Sequence, residues 1–169
     1  MSTILLGGAT GFIGSHLTRA LQRDGHRVIP LSRRVRSPDS VTWDAESGTI
    51  DTDALARARP QIVINLAGAV IAKRWTSAHR RRLSDSRVNG TATLARAIAA
   101  LEPKPSLFIN GSASGYYGAH RGDEILTESS APSDDFLSRL AQEWEAAVRP
   151  AQDAGIRVVL SRSGVVLHR

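Results

Sequence analysis

Three glycines near the N-terminus restrict the fold more than any other feature of the sequence. They occupy every third position in the segment Gly8-Ala9-Thr10-Gly11-Phe12-Ile13-Gly14. An apolar run at residues 3–6 precedes the segment, and a pattern with Ile13, Leu17 and Leu21 on one helix face follows it. Glycine at these places permits a tight turn, a close approach of the backbone to a phosphate, and close packing of a helix on a sheet. The segment therefore predicts a strand, a loop and a helix whose first amides bind a diphosphate.

Short apolar runs alternate with helical patterns along the rest of the chain. We predict strands at residues 3–6, 27–32, 41–43, 61–66, 106–110 and 156–160. Helices are expected from Phe12 to the stop at Gly25, from Trp75 to Pro103, and from a cap at Ser133 to Gly155. This alternation predicts an α/β fold with a doubly wound parallel sheet (a Rossmann fold) of strand order 3-2-1-4-5-6. At 169 residues the chain has the size of one domain, 1–169.

Composition excludes several classes of protein and of site. With no cysteine, the chain has no disulfide, thiolate zinc site or cysteine nucleophile, and its histidines lack the spacing of a helical metal pair. No apolar run reaches the ~18 residues of a membrane span, and the N-terminus does not resemble a signal peptide, so a cytoplasmic protein is expected. The net charge of +6 comes from scattered arginines, which favours a compositional bias over nucleic-acid binding.

The end of the second predicted strand indicates which dinucleotide the loop binds. An NAD-binding chain normally carries an acid here for the ribose 2′-hydroxyl, but this chain has Leu31-Ser32-Arg33-Arg34 and no acid between Asp24 and Asp39. A hydroxyl and a guanidinium suit a 2′-phosphate, which a carboxylate would repel. We therefore expect NADP(H) in preference to NAD(H), with Ser32 and Arg33 at the 2′-phosphate. The alternative is that Arg33 is a solvated charge in the loop and does not contact the 2′-phosphate. The expected contacts of the loop are Gly8, Thr10, Gly11, Phe12, Ile13 and Gly14.

Further segments are shared with one large group of dinucleotide-binding proteins. They are the glycine segment, Asn65-Leu66-Ala67-Gly68, Ser112-Ala113-Ser114-Gly115-Tyr116-Tyr117-Gly118, Asp85-Ser86-Arg87-Val88, Trp144-Glu145 and Arg162-Ser163-Gly164-Val165-Val166-Leu167. With these segments the chain resembles the short-chain dehydrogenase/reductase superfamily. More narrowly, it resembles the atypical, extended branch that is NAD-dependent epimerase/dehydratase-like, the "epimerase family". The resemblance covers essentially the whole chain.

The resemblance also shows where this chain departs from the superfamily's chemistry. Members usually carry a tyrosine with a lysine one helical turn later, together with a serine and an asparagine. Here the helix places Asp135 and Arg139 at the dyad positions, or Phe136 and Leu140 in the other register. The serine position aligns with Ala113 and the asparagine position with Arg87. The catalytic residues therefore stay unassigned, and whether the chain is an enzyme stays open. Glu143 and Glu145 are expected on a polar helix surface.

The resemblance implies additional cofactor contacts beyond the glycine loop. The cofactor would lie alongside the backbone of Leu66, Ala67 and Gly68. Arg87 would contact phosphate or ribose oxygens, and Val166 would lie near the nicotinamide. Alternatives remain for two residues. Arg87 is as readily an ion-pair partner of Asp85 or Glu102, and Tyr117 either faces the substrate or packs under the loop. Asp44 either approaches the adenine or makes its own turn.

Members of the extended branch continue past the sixth strand into a substrate-binding region. This chain ends at Arg169, so we expect that region to be absent and the sixth strand to be an open edge that pairs with another copy. The leading hypothesis is an NADP(H)-binding oxidoreductase or epimerase of unknown small-molecule substrate. The alternative is a non-catalytic dinucleotide-binding module that senses redox state or binds a partner.

Overall fold

A seven-stranded sheet forms the centre of the computed structural model, which describes residues 1–34 and 39–167. The strand order is β4-β3-β2-β1-β5-β6-β7. Six strands run parallel, and only β4 pairs antiparallel, with β3. The strands are β1 (Thr3–Gly7), β2 (Arg27–Ser32), β3 (Val41–Asp44), β4 (Thr49–Ile50), β5 (Ile62–Asn65), β6 (Leu107–Ala113) and β7 (Arg157–Ser163).

Helices connect most of the parallel strands and cover both faces of the sheet. Within the described residues they are α1 (Phe12–Arg23), α2 (Thr52–Ala58), α3 (Ser77–Ser84), α4 (Gly90–Ala99), α5 (Phe136–Ala146) and α6 (Arg149–Asp153). A wider π-helical turn, Asp85–Asn89, joins α3 to α4, and a 3₁₀ turn, Ser114–Tyr117, follows β6. No helix in the described part of the chain is long and apolar enough to cross a lipid bilayer.

The predicted fold class is confirmed, with differences in detail. The six predicted strands lie in the predicted order, but the prediction omitted β4, which extends the sheet beyond β3. A strand of two residues is too short for a periodic pattern, and its pairing with β3 defines it. The predicted cap at Ser133 was also wrong. The side chain of Asp135 accepts from the amides of Leu137 and Ser138, so α5 begins at Phe136.

Alternating side chains of the central strands build a core on each face of the sheet. Leu5 and Val63 point to one face, where they pack with Phe108 and with the buried sides of α4 and α6. Ile4 and Leu6 point to the opposite face, against α1. This alternation follows from the two-residue period of a strand. On β7, at the outer edge, Val159 is 38% exposed, and pairing of this edge with another copy stays a prediction.

A buried polar network joins the central strands to two helices. The Asn65 amide nitrogen donates to the Thr91 hydroxyl at 3.0 Å and to the Asn110 side-chain oxygen at 2.8 Å. The Trp144 indole donates to the same hydroxyl at 2.9 Å. The Asn65 oxygen in turn accepts from the Ala67 amide at 3.1 Å, which holds the loop after β5. Because Asn65, Thr91 and Asn110 are at most 1% exposed, the hydrogen bonds of their side chains must be made within the protein.

Replacement of the shared hydroxyl tests how much this network stabilises the fold. Thr91→Val keeps the side-chain volume but leaves the buried Trp144 indole without its acceptor. We expect the free energy of unfolding, measured by urea denaturation, to fall by about 2 kcal/mol. Thr93→Val is the matched control on the same helix, because the Thr93 hydroxyl makes two long bonds, to the Gly48 oxygen and from the Arg96 guanidinium, each of 3.4 Å. Equal losses in the two variants would show that the network has no special role.

Candidate functional site

An open cleft of about 760 Å³ lies at the carboxyl ends of β1, β2, β3 and β5. In a doubly wound sheet this is where the strand order reverses and where ligands bind. The cleft is lined by the glycine loop at Gly8, Thr10 and Gly11, by residues 31–34, 43–46 and 66–70, and by Lys73, His79, Arg82 and Ser86. The predicted residues Ser32, Arg33, Leu66, Ala67 and Gly68 are therefore brought together with the glycine loop in one cleft.

The glycine loop is in such close contact with its surroundings that side chains cannot be added. A Cβ on Gly8, whose φ is +79°, would lie 2.8 Å from the Leu66 carbonyl carbon and 3.0 Å from the Ala67 nitrogen. A Cβ on Gly14 would lie 2.1 Å from the Gly8 oxygen, so α1 packs directly on the loop. Gly14 is accordingly buried and does not line the cleft. The floor of the cleft is bare backbone, which fits a diphosphate.

The beginning of α1 is directed at the glycine loop and is suited to an anion. Gly11 precedes the helix and has no side chain to cap it, and the first turn contains no acidic residue. The positive end of the helix dipole thus faces the loop without an internal counter-charge. The glycine spacing predicted a helix directly after the loop, and α1, with twelve residues, is that helix.

Three cations that line the cleft make no ion pair within the described residues. They are Arg33, Arg34 and Lys73. Arg82 is paired with Glu46, at 2.9 Å between Nε and Oε1. The cleft therefore carries a net positive charge that favours a ligand with several phosphates.

The adenine side of the predicted site contains a turn and an unpartnered donor. Ser32 accepts from the Arg34 amide at 3.1 Å, so its hydroxyl takes part in the turn that exposes Arg33. Asp44 accepts from the amides of Glu46 and Ser47, so it makes a turn and also lines the cleft. The buried Trp43 Nε1 has no acceptor in the described part of the chain.

Arg87 lies beneath Gly68 and not among the residues that line the cleft. It is 8% exposed, and a Cβ on Gly68 would lie 3.0 Å from its guanidinium carbon. Its Nη1 donates to the Ala69 oxygen at 3.1 Å, and its other face lies 5.2 Å from the centre of the Trp144 ring. Within the described residues it pairs with neither Asp85 nor Glu102, nor with any other acid. Burial lowers the pKa of this guanidinium, because no carboxylate stabilises its charge.

Three other predicted contacts lie in a second groove. Phe12, Ile13 and Val166 line an apolar groove of about 640 Å³ on the outer side of α1, together with Leu17 and Leu167. Phe12 and Val166 are 41% and 51% exposed. Their side chains are therefore separate from the cleft, although the backbone amides of Phe12 and Ile13 belong to the first turn of α1. Their contact with a cofactor stays a prediction.

The dyad positions of α5 carry no acid–base pair. Asp135 caps the helix through its carboxylate, at 2.9 Å from the Leu137 nitrogen, and Arg139 is exposed. In the other register, Phe136 packs edge-to-face against Trp75. Residues 1–34 and 39–167 contain no group of histidine, aspartate and glutamate side chains placed to hold a metal ion.

A buried ion pair beyond the cleft was not predicted. Glu145 was expected on a polar surface, but it is 8% exposed and accepts from Arg162 at 2.7 and 2.8 Å and from Ser112 at 2.6 Å. Burial opposes its ionisation, yet the hydrogen bonds from Arg162 and Ser112 outweigh burial and hold the Glu145 pKa below its ordinary value. The only sequence signal was the shared segments Trp144-Glu145 and Arg162-Ser163, because residues 17 positions apart show no periodic relation.

Comparison with known proteins gives consistent matches over almost the whole chain. A model of the NAD dependent epimerase/dehydratase family matches residues 4–166. An epimerase family protein of Mycobacterium leprae is 39% identical over 168 residues, which are 98% of this chain and 53% of that protein. The epimerase family protein YfhF of Bacillus subtilis is 38% identical over 170 residues, which are 97% of this chain and 55% of that protein. The chain thus spans about half the length of these relatives.

Solved structures agree with the sequence matches. The human epimerase family protein SDR39U1 (isoform 2), crystallised with NADPH, is 34% identical with a TM-score of 0.83, and the match covers 99% of this chain and 55% of that one. A nucleoside-diphosphate sugar epimerase from Corynebacterium glutamicum is 37% identical, also with a TM-score of 0.83, over 95% of this chain and 33% of that one.

The ion pair of Glu145 predicts a particular dependence of stability on pH. Because the folded-state pKa of Glu145 is depressed, its stabilisation is present above the unfolded value of ~4.3 and is lost as pH falls through the folded value. Glu145→Gln should lower the free energy of unfolding at pH 7 by roughly 3 kcal/mol. In urea titrations from pH 7 to pH 3, the difference from the wild type should narrow below about pH 4. Glu143→Gln, on the exposed side of the same helix, is the control, and a gap independent of pH would contradict the assignment.

Proposed function

Because this chain belongs to the NAD dependent epimerase/dehydratase family, we propose that it binds NADP(H) in the cleft and serves an oxidoreductase or epimerase reaction on a small molecule. The observation that carries the proposal is that one cleft brings together a glycine loop of bare backbone and several cations that form no ion pair with the described residues. The human relative crystallised with NADPH supports the choice of NADP(H). Other solved structures of this fold are described with NAD, so the proposed preference for NADP(H) depends on the basic residues that follow β2.

The chain's own groups divide the binding of the dinucleotide between them. The backbone of Gly8 and Gly11, with the first amides of α1, would hold the diphosphate. Arg33 would contact the 2′-phosphate, and the backbone of the loop at residues 66–68 would lie alongside the ribose. The bound nicotinamide would supply or accept the hydride of the reaction. The protein's part is to place the substrate at that ring and to move a proton.

A non-catalytic role is the second candidate, and a specific observation favours it. The dyad positions hold a helix cap, Asp135, and an exposed arginine, Arg139. A dinucleotide-binding module that senses redox state would need the cleft and not the dyad. Binding of NADPH without any consumption of it across a panel of carbonyl compounds would favour this second candidate.

Removal of the Arg33 charge tests the cofactor preference. Arg33→Gln should weaken NADPH binding by about ten- to a hundred-fold, the equivalent of one hydrogen bond to a charged group. NADH affinity should stay within two-fold, because NADH has no 2′-phosphate. Isothermal titration calorimetry measures both constants. Arg57→Gln, which makes the same change of charge at an exposed position of α2, is the control. Wild-type protein that binds NADH as tightly as NADPH would refute the preference.

Replacement of Arg87 tests its effect on NADPH binding separately from its effect on the stability of the fold. In Arg87→Met the buried, unpaired charge is removed, so the melting temperature without cofactor should stay equal or rise. If Arg87 contacts cofactor oxygens, the dissociation constant for NADPH should rise by about ten-fold or more. Arg81→Met, on the exposed side of α3, is the control for both measurements. An unchanged NADPH affinity would remove Arg87 from the cofactor site.

A further inference from the structure

Lys73 lies between β5 and α3 and lines the cofactor cleft. It is exposed and forms no ion pair with the described residues. The sequence predicted no cofactor contact for it, and the contacts proposed above give it none. A lysine ammonium is a compact point charge that binds phosphate oxygens. Lys73 is therefore a cation of the cleft that still lacks an assigned ligand.

Side-chain hydrogen bonds hold the segment that carries this lysine, residues 69–75, which we call the lysine loop. The carbonyl oxygens of its first three residues each accept from a side chain, at 3.0 or 3.1 Å. The donors are, in order, Arg87, His79 and the indole of Trp75. Three successive bonds of this kind restrict the backbone of the loop.

The same three hydrogen bonds determine what the lysine loop offers to an anion. A backbone carbonyl is only an acceptor, so it cannot bind a phosphate that has no proton to donate. Here the three carbonyls are occupied by donors, one of which is the guanidinium of Arg87. The charged group that the loop contributes to the cleft is the ammonium group of Lys73.

The carbonyl oxygen of Ile71 links Trp75 to Lys73. It accepts from the Trp75 indole at 3.0 Å and from the Lys73 amide at 2.7 Å. The Trp75 ring packs edge-to-face against Phe136, with 5.6 Å between the ring centres, and the Arg80 guanidinium lies 5.9 Å from its centre. Trp75 therefore ties the backbone at Lys73 to the first residue of α5.

The acidic residues of the cleft do not neutralise this lysine. Two of the lining residues are acidic, Asp44 and Glu46. Asp44 accepts from two amides of its own turn, and Glu46 is paired with Arg82 at 2.9 Å. Neither is an ion-pair partner of Lys73, so its charge is available to a ligand in the cleft.

Arg33 and Lys73 reach the cleft from opposite sides of β1. This strand ends at the glycine loop, and its two neighbours in the sheet are β2 and β5. Arg33 follows β2, whereas Lys73 belongs to the segment after β5. A dinucleotide whose diphosphate lies at the glycine loop would therefore be flanked by the two cations.

Resting on the proposed function, we propose that Lys73 binds a phosphate group of NADP(H) from the side opposite Arg33. Trp75 is the positioning residue, because its indole holds the lysine loop through Ile71. The ammonium group donates to phosphate oxygens, and no covalent bond changes. The diphosphate and the 2′-phosphate offer the same oxygens, and NADH, which lacks the 2′-phosphate, distinguishes them.

Neighbouring cations provide a matched pair of variants. Lys73→Gln and Arg74→Gln remove the same charge from adjacent exposed positions, and only Lys73 lines the cleft. In calorimetry, the Kd for NADPH should rise about ten-fold or more in Lys73→Gln and stay within two-fold in Arg74→Gln. Lys73→Arg keeps a cation and should recover most of the affinity. A parallel loss for NADH identifies the diphosphate as the partner, and an unchanged Kd for NADH identifies the 2′-phosphate.

Binding by the wild type separates this proposal from the proposed function. If the wild type binds NADPH and the two glutamine variants show the same Kd, the role of Lys73 is overturned and the cleft remains a dinucleotide site. If the wild type binds neither NADPH nor NADH, the proposed function itself is overturned, and the role of Lys73 with it.

The positioning role of Trp75 has its own measurement. Trp75→Phe keeps an aromatic ring and removes the N–H that Ile71 accepts. The Kd for NADPH should rise about two- to ten-fold, the equivalent of one neutral hydrogen bond. If Trp75 acts through Lys73, the same substitution should have no effect on the Kd of the Lys73→Gln variant. Additive losses, or a lower melting temperature with an unchanged Kd, overturn the positioning role.

Discussion

The close approach of the glycine loop to the loop after β5 is the constraint on which the rest of the structure depends. Gly8 lies against the backbone of Leu66 and Ala67, and Gly14 lies against Gly8 itself, so that no Cβ fits at either place. These contacts bring β1, β5 and the start of α1 to one point. The buried amide of Asn65 holds the second loop from below through the Ala67 amide. A cleft with a backbone floor follows from this packing.

Cations in this chain occupy two different electrostatic settings. Arg162 lies in a bidentate pair with Glu145, so its charge is compensated and its geometry is rigid. Arg87 is buried among backbone oxygens and an indole ring, with no acid beside it in the described residues. A paired buried cation orients its neighbours, whereas an unpaired one gains most from a ligand that carries negative charge or many oxygens. This difference supports separate roles for the two arginines.

Strong local patterns were enough to predict the architecture and the position of the glycine loop between β1 and α1. Each of the six parallel strands contains a short apolar stretch, and the glycine spacing demands a turn that few other sequences need. The start of α5 was misplaced because Ser133 and Asp135 are both good capping residues, and only the packing selects one. The prediction that Glu145 lies on an exposed surface was wrong because its partners lie on β6 and β7, far from it in sequence. Arg87 was expected in the crevice but lies under Gly68, since the direction of its long side chain depends on the contact with Trp144.

The sequence by itself determined the order of the strands, the position of the glycine loop and the absence of an acid at the end of β2. The strands and the loop follow from the periodic spacing of apolar residues and from the conformational freedom of glycine, which act between near neighbours in the chain. The missing acid can be read directly from the sequence. The tertiary structure alone decided that Arg162 pairs with Glu145, and that the side chains of Phe12 and Val166 lie apart from the cleft. Such properties depend on distances between residues far apart in sequence, and only the packed sheet and its helices define those distances.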